Sequence, residues 1–295
     1  MYNAFFGFSE SPFNLSPDPA FFYRSEQHEE ALANLVYGVQ ARKGFIVLTG
    51  EVGTGKTTML ECLRDYLEDQ FIEFAFLFNS RINSDQFFEM IAYDLDLPCS
   101  RTSKTEVLFA LNQLLVEQAQ DGRTVVLIVD EAHNLEWDVL EEIRLLGNLE
   151  NRNGKLLQII MAGQPEFDRK LDAPNLRQLK QRVVLRCNLQ PFTLRDAIEY
   201  MESRLMHAGM PEQTVFTEEL MAEIHLRTQG IPRVINGVCD NLLLSAFAAE
   251  SKVCTVDMLD EVCRDMRLEW PGSRRLHRTR SIEETEALQR TPYSA

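Results

Sequence analysis

One eight-residue stretch limits the folds open to this chain more than any other. Gly50-Glu51-Val52-Gly53-Thr54-Gly55-Lys56-Thr57 fits the phosphate-binding pattern G-x-x-x-x-G-K-[ST]. The glycines let backbone N–H groups turn inward as a nest for anionic oxygens. Lys56 can reach β- and γ-phosphates, and the Thr57 hydroxyl can sit on Mg²⁺. A helix starting there aims its positive N-terminal end at the same anion. The pattern also arises by chance, so its flanks decide. Phe45-Ile46-Val47-Leu48-Thr49 reads as a buried strand entering the loop. The residues from Thr58 to Leu67 read as a helix leaving it, with Met59, Leu60, Leu63 and Leu67 on one side. A glycine-rich turn with no ligand would not need both flanks. A nucleotide pocket lined from Gly50 through Thr58 is therefore expected.

Composition narrows the class. The 295 residues suffice for one large domain or two modest ones, and 45% hydrophobic with 25% charged content suits a water-soluble globular chain. No apolar run approaches the ~20 residues needed to span a bilayer. The opening residues lack the basic-then-apolar order of a signal peptide. Six scattered cysteines, without a C-x-x-C pair, read as buried thiols of a reducing cytosol rather than as zinc or redox sites. A net charge of −15 gives no global attraction for nucleic acid. The basic cluster Arg267, Arg274, Arg275, His277, Arg278 and Arg280 reads as a solvated tail, with a phosphate-binding arm as the alternative.

Periodicity then orders the chain. Residues 1–24, rich in Phe, Pro and Ser, read as irregular. Ser25 is placed as the N-cap of a helix running to about Gln40. Further strands are expected at 74–78, 125–129, 156–161 and 183–187, alternating with helices at 84–95, 105–119, 138–149 and 176–181. Such alternation implies a doubly wound parallel sheet. After Pro191 the pattern is helical only, at 194–207, 217–228, 234–249 and 256–266. The expected organisation is an irregular segment at 1–24, an α/β domain at 25–191, an all-helical domain at 192–270 and a disordered tail at 271–295.

The third strand runs into Asp130-Glu131. An apolar strand ending in Asp-Glu downstream of a phosphate loop suits a nucleotide hydrolase. Ligands of open α/β sheets bind at the carboxyl ends of the strands. Asp130 is expected to hold Mg²⁺ and Glu131 to orient or deprotonate the attacking water. Asp130-Glu131-Ala132-His133 also spells the box of one helicase class, but those enzymes need two tandem α/β motor domains and this chain offers one. His133 reads either as a loop histidine or as a functional one. Asn79, ending the second strand, would hold Glu131 from water or would serve an Asx-type turn. Gln164, ending the fourth, would feel the γ-phosphate or be a polar turn residue. Arg233 opens a helix in Gly230-Ile231-Pro232-Arg233, where the macrodipole gives a cation no reason to be. It reads as a phosphate contact, with a surface ion pair as the plain alternative.

Taken together these features resemble the AAA+ class of P-loop NTPases. The opening Phe6-Gly7-Phe8, Pro12-Phe13, Phe22-Tyr23-Arg24-Ser25, His28, Ala31-Leu32 and Tyr37-Gly38 looks like the general secretion pathway protein A (ExeA-like) group. Gly44-Phe45, the loop through Thr58 and Ala162-Gly163-Gln164-Pro165-Glu166 match it too. The resemblance runs from Met1 to about Met266. It implies a five-stranded parallel sheet domain with a helical lid. It also implies ATP and Mg²⁺ at interfaces of a ring or ring-like homo-oligomer, and an arginine finger from the neighbouring subunit. Arg182 is the first choice for the finger and Arg177 the second. Arg233 matches the lid sensor. Phe22, Tyr23 and His28 are candidates to touch adenine. Fuller members of the group carry a transmembrane segment and a peptidoglycan-binding domain, and these 295 residues hold neither. The expectation is an ATPase, cytoplasmic or peripheral at the inner membrane, that assembles or remodels a secretion, pilus or exopolysaccharide-export machine. A DNA-dependent ATPase like the transposition regulators is the alternative. A non-hydrolysing switch is disfavoured, because it needs no water-activating acid beside Lys56 and Asp130.

Overall fold

The structure is a computed structural model that describes residues 2–16, 19–78, 81–100, 103–152, 154–209 and 214–268. The chain runs through α1 (Tyr2–Phe6), a 3₁₀ turn (Pro19–Phe21), α2 (Glu26–Gln40), β1 (Phe45–Gly50), α3 (Lys56–Asp69), β2 (Glu73–Leu77), α4 (Ser84–Asp94), α5 (Lys104–Gln120) and β3 (Val125–Val129). A 3₁₀ turn (Ala132–Asn134) and α6 (Trp137–Leu146) come next. A short hairpin, β4 (Glu150–Asn151) and β5 (Gly154–Lys155), leads to β6 (Leu157–Gly163), α7 (Pro165–Leu171), α8 (Arg177–Lys180) and β7 (Val183–Leu189). Four helices follow: α9 (Leu194–His207), α10 (Glu218–Thr228), α11 (Pro232–Ala248) and α12 (Val256–Asp265).

Residues 17–190 form an α/β unit. Five of its described strands form a parallel sheet in the order β2-β3-β6-β1-β7, and β4 pairs antiparallel with β5. Exposure follows that order. The inner strands β1, β3 and β6 are buried at every position, whereas the edge strands β2 and β7 are partly exposed. An all-apolar sequence suits a strand covered on both faces. The period of two sorts side chains between two cores. Phe45, Val47, Val125, Leu127, Val129, Ile159 and Met161 pack with Phe87, Leu111, Leu115 and Ile143 of α4, α5 and α6. Ile46, Leu48, Val126, Ile128, Ile160 and Ala162 pack with Leu35 and Val39 of α2 and Leu60 and Leu63 of α3. Both β1 and β3 therefore end at one edge of the sheet, where Gly50 and Asp130 stand.

The second unit joins the described residues of 1–16 to those from Pro191 onward. Within the segment read as irregular at 1–24, residues Tyr2–Phe6 form α1 and Pro19–Phe21 a 3₁₀ turn. Tyr2, Phe6, Phe8 and Phe13 are buried, and α1 packs on α11. The Tyr2 hydroxyl donates to Asp240, Arg204 donates to the Pro12 carbonyl at 2.8 Å, and the Ser9 N–H donates to the Ala208 carbonyl at 2.8 Å. Aromatic side chains that read as irregular in sequence are here the packing surface of the helices. Asn79 and the tail from 271 lie outside the described residues.

Candidate functional site

The loop from Glu51 to Gly55 joins β1 to α3. Gly53 and Gly55 adopt φ of 84° and 98°, a region costly for any residue with a β carbon. Gly55 is also the N-cap of α3 and offers no side chain to cap it, so the first N–H groups of α3 stay open to an anion. The loop holds its shape by its own bonds. The Thr54 hydroxyl donates to the Glu51 carbonyl at 2.9 Å, and Lys56 Nζ donates to the Gly50 and Glu51 carbonyls at 2.8 and 2.9 Å. Lys56 is 6% exposed. Burial pulls its pKa below the usual lysine value, against the opposing influence of Glu131, Asp130 and Glu51. A buried ammonium resting on carbonyls is poised for an anionic partner.

Asp130 follows β3 directly, and its N–H donates to the Leu77 carbonyl of β2 at 2.9 Å. Its Oδ2 accepts from the Thr57 hydroxyl at 3.2 Å and its Oδ1 from the Glu131 N–H at 2.8 Å. Burial pushes its carboxyl above the usual carboxylate range, partly offset by those hydrogen bonds and by Lys56. Thr57 and Asp130 thus put two hard oxygen donors side by side. That donor set fits Mg²⁺, which binds through one or two protein oxygens together with substrate phosphates. The glycine nest and the Thr57–Asp130 pair lie on adjoining loops of one sheet edge.

Glu131 adopts φ 52° and ψ 35°, the left-handed region, without being glycine. Such strain persists only where surroundings impose it, and it gathers at functional sites. Its Oε2 lies 3.2 Å from Nδ1 of His133. The same Nδ1 lies 3.4 Å from the backbone N–H of Gln164, the N-cap of α7. Lys170 of α7 donates to the His133 carbonyl at 3.1 Å and also to the Leu135 carbonyl. The Asp-Glu-Ala-His turn is therefore pinned to the end of β6 from two sides. Sequence reasoning left His133 undecided and did not name Lys170. Neither contact has a signal in local pattern, because α7 meets the turn only in the folded sheet.

Other expected residues are distributed differently. His28 lies in the first turn of α2 and half-buried Phe22 and Tyr23 just before that helix, with the Phe22 ring edge-on to His28 at 5.7 Å. Arg182 donates to the Arg144 carbonyl at 2.5 Å and to Asn148 Oδ1 at 2.6 Å, so its guanidinium ties down the end of α6. Arg177 of α8 is exposed, and its side chain has no hydrogen bond or ion pair among the described residues. Arg233 is exposed in the first turn of α11, within the helical unit.

A family model described as an AAA domain matches residues 39–171, the span from the end of α2 to the end of α7. General secretion pathway protein A of Aeromonas hydrophila is 44% identical over 253 residues, which is 85% of this chain. The chain belongs to the ExeA-like AAA+ proteins. It spans about half of that relative, 46% of its length. Among solved structures, this AAA+ chain shares its fold with Cdc6p of Pyrobaculum aerophilum, at a TM-score of 0.67 and 19% identity over 88% of this chain and 71% of that one. It likewise resembles Drosophila ORC bound to DNA (TM-score 0.64, 19% identity, 88% and 67% covered). The RuvB Holliday junction branch migration motor of Thermotoga maritima matches at 0.56 and 14% identity, with 84% and 73% covered. At such identities the likeness is one of fold. Among the described residues no helix is long and apolar enough to cross a membrane.

Proposed function

We propose that this chain binds ATP with Mg²⁺ and hydrolyses it, as one subunit of a homo-oligomer that assembles or remodels a secretion, pilus or exopolysaccharide-export machine at the cytoplasmic face of the inner membrane. The observation that carries the reading is the junction of Lys56, Thr57, Asp130 and Glu131 at one sheet edge, with Thr57 bonded to Asp130 and Asp130 to the Glu131 N–H. The open N–H groups at Gly55 and the first turn of α3 bind the phosphates, and Lys56 leaves its carbonyls for the β/γ oxygens. Thr57 and Asp130 would hold Mg²⁺, which when bound neutralises charge developing on the phosphoryl oxygens. Glu131, held in its strained turn, orients the attacking water and takes its proton. Gln164, beside His133 at the end of β6, addresses the γ-phosphate, and Arg233 keeps its expected part as the sensor. Asn79 keeps its expected part in restraining Glu131. Arg177 replaces Arg182 as the first choice for the finger offered to a neighbouring subunit, since Arg182 is spent within its own chain.

Purified chain should hydrolyse ATP only with Mg²⁺. Lys56→Ala should lose nucleotide binding by more than about a hundredfold, and Glu131→Gln should bind ATP normally while turnover falls by about a hundredfold or more. Wild-type affinity in Lys56→Ala would remove the phosphate loop from the mechanism, and normal turnover in Glu131→Gln would remove the base. The net charge of −15 weighs against the DNA-dependent alternative. A rise in turnover with DNA that disappears as salt is added would restore it.

A further inference from the structure

We propose that His28 is a positioning residue of the phosphate cradle: its Nε2–H holds the Thr54 carbonyl outward and thereby turns the Gly55 N–H toward the phosphates of a bound nucleotide. The proposal rests on the nucleotide reading above. His28 is 2% exposed, in the first turn of α2. Its Nε2 lies 3.3 Å from the Thr54 carbonyl oxygen, and its Nδ1 lies 2.7 Å from Ser25 Oγ. A carbonyl oxygen only accepts, so Nε2 carries the proton. The unprotonated Nδ1 then accepts from the Ser25 hydroxyl, whose oxygen accepts in turn from the His28 backbone N–H at 3.3 Å. Each donor in this chain meets an acceptor.

The geometry of the peptide group converts that contact into an effect on the ligand. Thr54 and Gly55 share a trans peptide, whose C=O and N–H point in opposite directions across one rigid plane. Fixing the carbonyl on His28 therefore fixes the N–H on the far side. That N–H has no acceptor among the described residues. The plane needs a restraint, because Gly55 at φ 98° is itself free of the side-chain sterics that would define it. The ring lies close beneath the loop, since a β carbon built on Gly55 would stand 3.4 Å from Nε2. Phe22, edge-on at 5.7 Å, backs the ring. The expectation that His28 touches adenine is replaced, because both ring nitrogens are engaged with the protein.

Two amides separate the two nitrogens. Glutamine places its amide nitrogen near the Nε2 position, whereas asparagine places its own near Nδ1 and cannot reach Thr54. Binding of ADP and of pyrophosphate, with Mg²⁺, should be measured on the full chain, alongside thermal melting. His28→Asn and His28→Ala should each lose about five- to tenfold in affinity, the worth of one hydrogen bond, for both ligands. His28→Gln should stay within about threefold of wild type for both. The proposal is overturned if His28→Asn binds as wild type does, if His28→Gln loses as much as His28→Asn, or if only ADP weakens, which would return His28 to the base. Failure of the wild type to bind either ligand would instead bring down the nucleotide reading and this proposal with it.

Discussion

Asp130 carries a cost in the folded protein. It is 6% exposed, and burial outweighs its hydrogen bonds in raising its pKa. A raised carboxyl pKa means the charged form is disfavoured more in the folded chain than in the unfolded one. Stability therefore falls as pH rises from the ordinary carboxylate range through the raised value, and the cost is complete once the pH has passed it. Asp130→Asn keeps an oxygen for the Glu131 N–H and removes the charge. It should raise the melting temperature at pH 7, by about 2–4 °C for each kcal/mol relieved, while abolishing Mg²⁺-dependent turnover. The gain should shrink as pH falls through the raised value toward the ordinary carboxylate range, as folded wild-type Asp130 takes up its proton. A lower melting temperature at pH 7 would mean that the bonds to Thr57 and Glu131 outweigh the desolvation. The loop glycines, Lys56, Thr57, Asp130 and Glu131 were legible in sequence because their spacing is the chemistry. The positive φ of Glu131 and the His28–Thr54 bond were not, because nothing local marks a left-handed glutamate and 26 residues separate the two partners.

Elements set how closely the sheet is covered. Gly38 sits on the buried side of α2, where a β carbon would come 2.3 Å from Ile46 Cδ1 of β1 and 2.9 Å from Leu185 Cδ1 of β7. Alanine would gain up to ~1 kcal/mol of helix propensity, but overpacking a core costs about 1–3 kcal/mol. Ile46 has no solvent-exposed side into which to move, being 0% exposed. Gly38→Ala should therefore melt lower, and an unchanged or higher melting temperature would show that α2 can lift from the sheet. The long periodic helices and the all-apolar strands were readable because each has a core face and enough length to repeat it. Short elements were not. α7 went unnamed in Gln164-Pro165-Glu166 despite a proline at its first position, acids in its first turn and Arg169 and Lys170 in its last. α6 ends at Leu146, before the expected 149, because Gly147 and the β4–β5 hairpin follow. α1, five residues long, is held by aromatic packing on α11 rather than by any propensity of its own.

Assembly is where the two arginines near β7 part company. In a ring, a finger must reach out of its own subunit, so a side chain already satisfied within it is a poor candidate. Arg182 makes two hydrogen bonds to the end of α6, to a carbonyl and to an amide oxygen. Removing it should cost stability, about 1–2 kcal/mol, with turnover per folded subunit close to wild type. Arg177 projects from the short α8 with no partner in its own chain among the described residues. Arg177→Ala should leave melting temperature and nucleotide affinity unchanged and lower turnover in the assembled state by about a hundredfold or more, as loss of a trans charge on the γ-phosphate would. Mixing separates trans from cis. Arg177→Ala subunits keep an intact phosphate loop, and Lys56→Ala subunits keep an intact finger. Neither alone turns over, but a mixed ring contains junctions with one good copy of each. Turnover that rises to a maximum at intermediate ratios supports the shared site. Mixed oligomers that form and stay inactive at every ratio would count against Arg177 as a trans residue. Loss of turnover in Arg182→Ala with an unchanged melting curve would return the finger to Arg182.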